Sequence, residues 1–262
     1  ISISTPSAPR AYEIGTRFAN LGKSVVYGGA HITQIQEHPD LAMEPFEHGC
    51  ALAIFAGDAE ETWPRFLDDM ASGRDPQKVY AGKQFDFRTR VVPKRDKCGR
   101  KGLQKLFPEV VSIEGSRGCL GSCIFCSTNG RYAMKPVEDI IHEVDLSGAR
   151  YFNSVDSNLG TNIGHLEELL SAMRGQKCLW SGSVYLPALK GRSKALRESG
   201  CGLVYIGFES VNHESAMEAR KPYIRETECK ETVNELHEAG IAVIGSFIFG
   251  FDHDDESTFD KT

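Results

Sequence analysis

Apolar positions along this chain fall into short continuous runs separated by stripes of helical period. The pattern predicts a strand over Ile1 to Ser4, then a helix with Ala11, Ile14, Phe18 and Leu21 on one face and a stop at Gly22. Val25-Val26-Tyr27 and Ala51 to Ala56 are short apolar runs that end in Gly28-Gly29 and Gly57, so they read as buried strands. Glu60 to Met70 is amphipathic, with Trp63, Phe66, Leu67 and Met70 expected inward. Strands alternating with helices over residues 1–73 predict an open parallel sheet.

Residues 74–108 change character. Charges and turn formers dominate, as in Gly73-Arg74-Asp75-Pro76 and the basic run Pro93 to Lys101, and the stretch reads as a linker. The basic run reads as solvated surface rather than as a contact with a phosphate-bearing cofactor.

From Val110 the alternation resumes over residues 109–262. Strands are expected at Val110 to Glu114, Tyr151 to Val155, Cys178 to Leu186, Leu203 to Phe208 and Ile241 to Phe249. Between them lie the helical stripes Val137-Ile140-Ile141-Val144 and Ile163-Leu166-Leu169-Leu170-Met173, then Ala188 to Glu198 and Glu226 to Ala239. Gly200 and Gly240 serve as the stops of the last two. Five such units are what builds a parallel β/α barrel. His253-Asp254-Asp255 after the last strand reads as the cap of a helix starting near Glu256.

Composition narrows the partners. The 262 residues are 40% hydrophobic and 25% charged with a net charge of −6, which gives no bulk attraction to nucleic acid or to an anionic membrane. No apolar run approaches the roughly 20 residues of a membrane span, and no leader is visible at Ile1. Both ends read as cut: Ile1 is already in a strand and Thr258 to Thr262 starts a helix. The chain is therefore expected to be a fragment.

Eight cysteines are present, and three of them, Cys119, Cys123 and Cys126, cluster at C-x₃-C-x₂-C spacing just after a predicted strand. Such a cluster in a chain this long points to a metal or redox loop in a reducing compartment, not to a disulfide framework. The other polar candidates, Asp156, Ser157, Asn158, Glu209 and Ser210, also follow the ends of predicted strands. In parallel β/α folds the carboxyl ends of the strands form the ligand-binding face. Structural zinc usually takes four protein ligands, and no second C-x₂-C pair or H-x₃₋₅-H accompanies the three cysteines. His142 and His165 fall within helical stripes and read as packing or surface residues. Three thiolates on a four-iron cluster would leave one iron open to an exogenous ligand.

Ser116 to Cys126, including the aromatic Phe125 before the third cysteine, closely resembles the signature of the radical S-adenosylmethionine (SAM) superfamily. The resemblance implies that Cys119, Cys123 and Cys126 hold a [4Fe-4S] cluster whose open iron chelates SAM. One electron then cleaves SAM to methionine and a 5′-deoxyadenosyl radical. It also implies that Phe125, Asp156-Ser157-Asn158 and Glu209-Ser210 contact SAM, that Ile241 to Gly250 lies against its adenine, and that a reductant such as a flavodoxin or ferredoxin supplies the electron in the cytoplasm.

Residues 1–73 resemble the cobalamin-binding domain of one subgroup, through Ser2-Ile3-Ser4-Thr5, Val25 to His31 and Gly57 to Glu60. By that resemblance Ser2, Thr5, Gly28 and Gly29 contact cobalamin. His31 is not in the subgroup's cobalt-ligand motif, which would lie upstream of Ile1. The fold expected is α/β: a partial Rossmann-like cobalamin domain, then a partial (β/α)₆ radical SAM barrel. The resemblance implies methyl transfer to a poorly activated carbon of a small-molecule substrate, with cyclisation or rearrangement left open. A radical SAM enzyme without cobalamin and a non-catalytic zinc module stand as alternatives.

Overall fold

A computed structural model describes residues 1–38, 40–89, 92–94, 110–126, 128 and 132–262. The chain divides into two compact units, Ile1–Phe85 and Asp86–Thr262. Arg95 to Lys101 of the basic run lie outside the described residues.

In the first unit, β1 (Val26–Tyr27), β2 (Ala53–Ala56) and β3 (Val79–Ala81) form a parallel sheet in that order. All four residues of β2 are buried, as a central strand covered on both faces requires. The strand β3 falls in the stretch read as linker. Its run of three residues is too short to stand out among flanking charges, and it is held by pairing with β2.

The first residues make one bridge, Ser2 to Gly28, in place of the expected strand. Pro6 then enters a 3₁₀ turn over Thr5–Ser7, since proline has no N–H to give a ladder.

Helix α1 (Ala8–Asn20) is rotated from its expected face: Ala8, Ala11, Tyr12 and Gly15 are buried, while Phe18 and Leu21, just past its end, are exposed. Small residues decide this. A Cβ at Gly15 would lie 1.7 Å from the Tyr27 hydroxyl, which donates a 2.6 Å hydrogen bond to the Gly49 carbonyl. Helices α2 (Ala30–Ile35) and α3 (Glu44–Gly49), absent from the sequence reading, are each a turn and a half, too short to show a period.

Helix α4 (Thr62–Ala71) turns only Phe66 fully inward of the four residues expected there; Trp63, Leu67 and Met70 stay exposed. Phe66 meets Phe55 and Tyr80 edge-on at 5.4 and 5.6 Å, and those two rings, stacked 5.2 Å apart, already fill that side of the sheet.

Gly29 has φ 101° and ψ −178°, a region open essentially to glycine alone. A Cβ there would lie 2.7 Å from the backbone of Ile3. Gly29→Ala is expected to cost about 3 kcal/mol of stability, from backbone strain and the clash together. Urea unfolding followed by circular dichroism measures it.

In the second unit five parallel strands stand in space as they do in the chain: β4 (Val110–Ile113), β7 (Tyr151–Ser154), β8 (Leu179–Ser183), β9 (Cys201–Glu209) and β10 (Ala242–Phe247). The intervening β5 (Ser116–Gly118) and β6 (Tyr132–Met134) pair antiparallel as a separate ribbon. That ribbon was not legible, because Ser-Arg-Gly carries no strand pattern.

Helices α5 (Val137–Ser147), α6 (Ile163–Met173), α8 (Ser193–Glu198) and α10 (Glu226–Glu238) bury stripes headed by Ile140, Leu166, Leu196 and Leu236 in one core with the strands. The helix expected over Ala188 to Glu198 is two pieces, α7 (Leu186–Leu189) and α8, broken near Gly191 at φ 69°. A further short helix, α9 (His213–Glu218), follows β9. Asp255 caps α11 (Glu256–Lys261): its N–H donates to Thr258 Oγ1 at 3.2 Å, as the capping reading expects.

Candidate functional site

The ribbon β5–β6 carries the cysteine loop, and α5 and α6 hold its base from behind. Lys135, just after β6, donates its backbone N–H to the Gly115 carbonyl at 2.9 Å. Its ammonium bonds Glu143 of α5 at 2.7 Å, both side chains being more than nine-tenths buried, and it sits 5.6 Å from the centre of the Phe87 ring. On the other side, Asp156 accepts the Gly115 N–H at 3.0 Å, the Ser116 hydroxyl at 2.5 Å and the Ser154 hydroxyl. His165 of α6 is buried, and burial lowers the pKa of its ring, in keeping with a packing residue.

A cavity of about 550 Å³ lies at the carboxyl ends of the strands of the second unit. Cys119, Cys123, Cys126 and Phe125 line it from the loop; Ser157 and Asn158 line it after β7; Glu209 lines it at the end of β9. These candidates, up to 90 residues apart in sequence, meet in one place.

Two predicted contacts, Asp156 and Ser210, do not line the cavity. Asp156 is enclosed by the three bonds just named, and buried Ser210 accepts the Asn212 N–H at 3.1 Å, shaping the turn after β9.

The side chain of Asn158 presents Oδ1 buried and without a hydrogen-bond partner. An amide oxygen in that state wants a donor, such as a ligand ammonium. Glu209 has φ 64°, unusual for a residue with a Cβ, and its Oε1 is 2.6 Å from Lys221 Nζ. Gly207 leaves room for the pair, since a Cβ there would lie 2.4 Å from that carboxylate oxygen. Lys221 also donates to the Gly207 carbonyl at 2.9 Å and stands 5.9 Å from the centre of the Phe125 ring.

Burial pushes the Cys123 thiol up, and the Lys221 charge opposes it. Burial also raises Tyr185 and Tyr223, whose rings meet edge-on 5.0 Å apart on the cavity wall. Arg220 joins that wall, with Nη1 3.5 Å from the Ser122 carbonyl.

The sequence reading missed Thr161, Tyr185, Arg220, Lys221 and Tyr223. Thr161 and Tyr185 sit in loops after β7 and β8, so the strand-end rule could have found them. Lys221 carried no signal.

The donor set fits an iron–sulfur cluster. Thiolates are soft ligands suited to such clusters. Gly121 leaves two of the sulfurs open, since a Cβ there would lie 3.3 Å from Cys119 Sγ and 3.9 Å from Cys123 Sγ. Among the described residues no three His, Cys, Asp or Glu side chains gather closely enough for one metal ion. A multi-iron cluster does not ask for that, because each thiolate takes its own iron.

In the first unit, Ser2, Thr5, Gly28 and Gly29 come together at the carboxyl end of β1. The Thr5 hydroxyl donates to Gln34 Oε1 at 3.3 Å, and the close approach at Gly29 is made by the chain's own Ile3. Gly57 and Gly82 follow β2 and β3 and let the two strand ends pack closely, since a Cβ at Gly57 would lie 2.4 Å from the Gly82 carbonyl oxygen and one at Gly82 would lie 1.7 Å from that of Asp58. His31 is buried, with Nδ1 3.3 Å from Thr5 Oγ1 and Nε2 3.2 Å from the Tyr12 hydroxyl, so both ring nitrogens are engaged within the fold.

A parallel β/α sheet with three thiols on a cavity at its strand ends defines an iron–sulfur type of site on a barrel-like fold. The model of the radical SAM superfamily matches residues 113–262, more than half the chain, and the chain belongs to that superfamily. It is 27% identical to bacteriochlorophyllide d C-12(1)-methyltransferase of Chlorobaculum tepidum over 274 residues, which cover 100% of this chain and 58% of that enzyme.

Two structures of the radical SAM methyltransferase TsrM from Kitasatospora setae share its fold, each at 18% identity over 94% of this chain. One, with tryptophan and a SAM analogue, gives a TM-score of 0.74 over 54% of TsrM. The other, with cobalamin and a [4Fe-4S] cluster, gives 0.72 over 53%. The chain thus spans little more than half the length of these relatives.

Proposed function

We propose that this protein is a cobalamin-dependent radical SAM methyltransferase acting on a poorly activated carbon of a small molecule. The observation that carries the reading is the meeting, on one cavity, of three cysteine thiols with the unpartnered buried oxygen of Asn158. The relatives support it: TsrM holds cobalamin and a [4Fe-4S] cluster, and the Chlorobaculum enzyme is a methyltransferase.

In this reading Cys119, Cys123 and Cys126 hold the cluster. Asn158 Oδ1 accepts from the SAM ammonium, with Ser157 beside it. Glu209, held by Lys221, would contact the ribose hydroxyls, and Phe125, on the same cavity, would contact SAM. Asp156 and Ser210 act from behind, Asp156 by holding Gly115 and Ser116 at the base of the loop. Unit Ile1–Phe85 takes the cobalamin role through Ser2, Thr5, Gly28 and Gly29. When bound, the reduced cluster supplies the electron that cleaves SAM, and cobalamin carries the methyl group. A flavodoxin- or ferredoxin-like reductant and a reducing cytoplasm suit this chemistry. Among the described residues no helix is long and apolar enough to cross a membrane.

Anaerobic reconstitution with iron and sulfide is expected to give a broad brown absorbance near about 400 nm and roughly four irons per chain. With dithionite and SAM the product to measure is 5′-deoxyadenosine. Tight stoichiometric zinc with no iron overturns the reading. Iron with no cobalamin bound overturns its methyl-transfer half.

A further inference from the structure

The hydroxyl of Thr161 stands 3.8 Å from Cys119 Sγ and 3.3 Å from the Leu120 N–H, which donates to it. Thr161 lies in the loop after β7, 42 residues beyond Cys119. A hydroxyl has one hydrogen to give and lone pairs to receive. Leu120 occupies a lone pair, so the hydrogen remains for the sulfur. Once Cys119 is a metal-bound thiolate it has no proton, and the hydroxyl is the donor by necessity.

The third cysteine has the same device. Thr128 Oγ1 is 3.0 Å from Cys126 Sγ, and the Thr128 N–H donates to that sulfur at 3.5 Å. Gly121 N–H adds a 3.3 Å bond to Cys119 Sγ. A structural explanation needs only the backbone donors; the two threonine hydroxyls are additional.

We propose that Thr161 and Thr128 are positioning residues that raise the reduction potential of the cluster by donating O–H···S hydrogen bonds to Cys119 and Cys126. The proposal rests on the reading of the loop as a cluster site. Reduction adds negative charge to the cluster and its thiolates, and a donor aimed at sulfur stabilises the reduced state more than the oxidised one. Withdrawing the donor therefore lowers the potential. The site is one where this matters, because the cluster must be reduced before it can act on SAM.

The test is a redox titration of the reconstituted full chain, followed by electron paramagnetic resonance of the reduced cluster. Thr161→Val keeps the shape and removes the donor; Thr161→Ser keeps the donor. Thr161→Val is expected to lower the equilibrium constant for one-electron reduction about tenfold, a shift of about 59 mV to more negative potential. Thr161→Ser is expected to titrate with the parent protein. Thr128→Val is expected to shift in the same direction, and it provides the measurement if Thr161→Val assembles too little cluster. A loaded variant lacking either hydroxyl that titrates at the parent potential overturns the proposal. Failure of the parent chain to bind iron overturns the cluster reading instead, and the two failures are told apart by iron content.

Discussion

Cys123→Ala is expected to yield a folded protein that retains no [4Fe-4S] cluster after reconstitution, with iron falling from about four per chain to background. The half-exposed thiol sits on a loop outside the hydrophobic core, so its removal opens no cavity in the packed interior. Cys119→Ala and Cys126→Ala are expected to behave alike, because three thiolates are the fewest that leave a single iron open. Cys201 is the control. It is fully buried at the start of β9, where burial raises its thiol to about 12, and Cys201→Ala is expected to cost about 1 kcal/mol of stability and no iron. Iron and sulfide assays with far-ultraviolet circular dichroism separate the two effects. Full iron in Cys123→Ala would contradict the assignment of the loop.

The second large effect concerns the support of that loop. Glu143→Ala is expected to destabilise the protein by about 3–5 kcal/mol, because it strands the Lys135 ammonium in a buried site. Both side chains are almost completely shielded and their charges meet at 2.7 Å. Lys135 is also tied through its backbone to Gly115, at the entry to the ribbon that carries the cysteines. Loss of cluster in this variant should therefore follow loss of stability. The double variant Lys135→Met/Glu143→Leu removes both charges and is expected to recover most of the loss, since an apolar pair of similar volume incurs no desolvation cost. Urea midpoints of Lys135→Met, Glu143→Leu and the double variant close the cycle. Equal destabilisation in the double variant and Glu143→Ala would show that packing, not the stranded charge, is responsible.

Much of the second unit was readable from the chain. The stripes Val137-Ile140-Ile141-Val144 and Ile163-Leu166-Leu169-Leu170-Met173 are long enough to carry a helical period, and they pack as that period implies except at Ile163, which opens its helix exposed, and Ile141, which is only partly buried. The runs at Tyr151, Leu179 and Cys201 form parallel strands that bury the side packed on the helices, through Phe152, Trp180, Val204 and Ile206. The first unit was less legible. Its α1 and α4 show more apolar residues than the core accepts, and the side facing inward is chosen by close contact at Gly15 and by the aromatic stack of Phe55 and Tyr80. A helical wheel does not contain that information.

The site divides in the same way. Three thiols within eight residues must lie near one another whatever the rest of the chain does, so the cysteine spacing alone could point to a metal centre. Where strands end could also be read, and with it the region holding Ser157, Asn158 and Glu209. Which residues face the cavity could not. Asp156 and Asn158 are two positions apart, yet one is closed in by Gly115, Ser116 and Ser154 while the other presents an unpartnered oxygen. Thr161 reaches Cys119 because the parallel sheet sets the ends of β4 and β7 side by side, and Lys221 reaches Glu209 because the chain returns to the end of β9 after the short helix α9. Short-range patterns determine local conformation and local ligand sets. Hydrogen bonds and ion pairs between loops depend on distances of a few ångströms, and those are settled only when the core has packed.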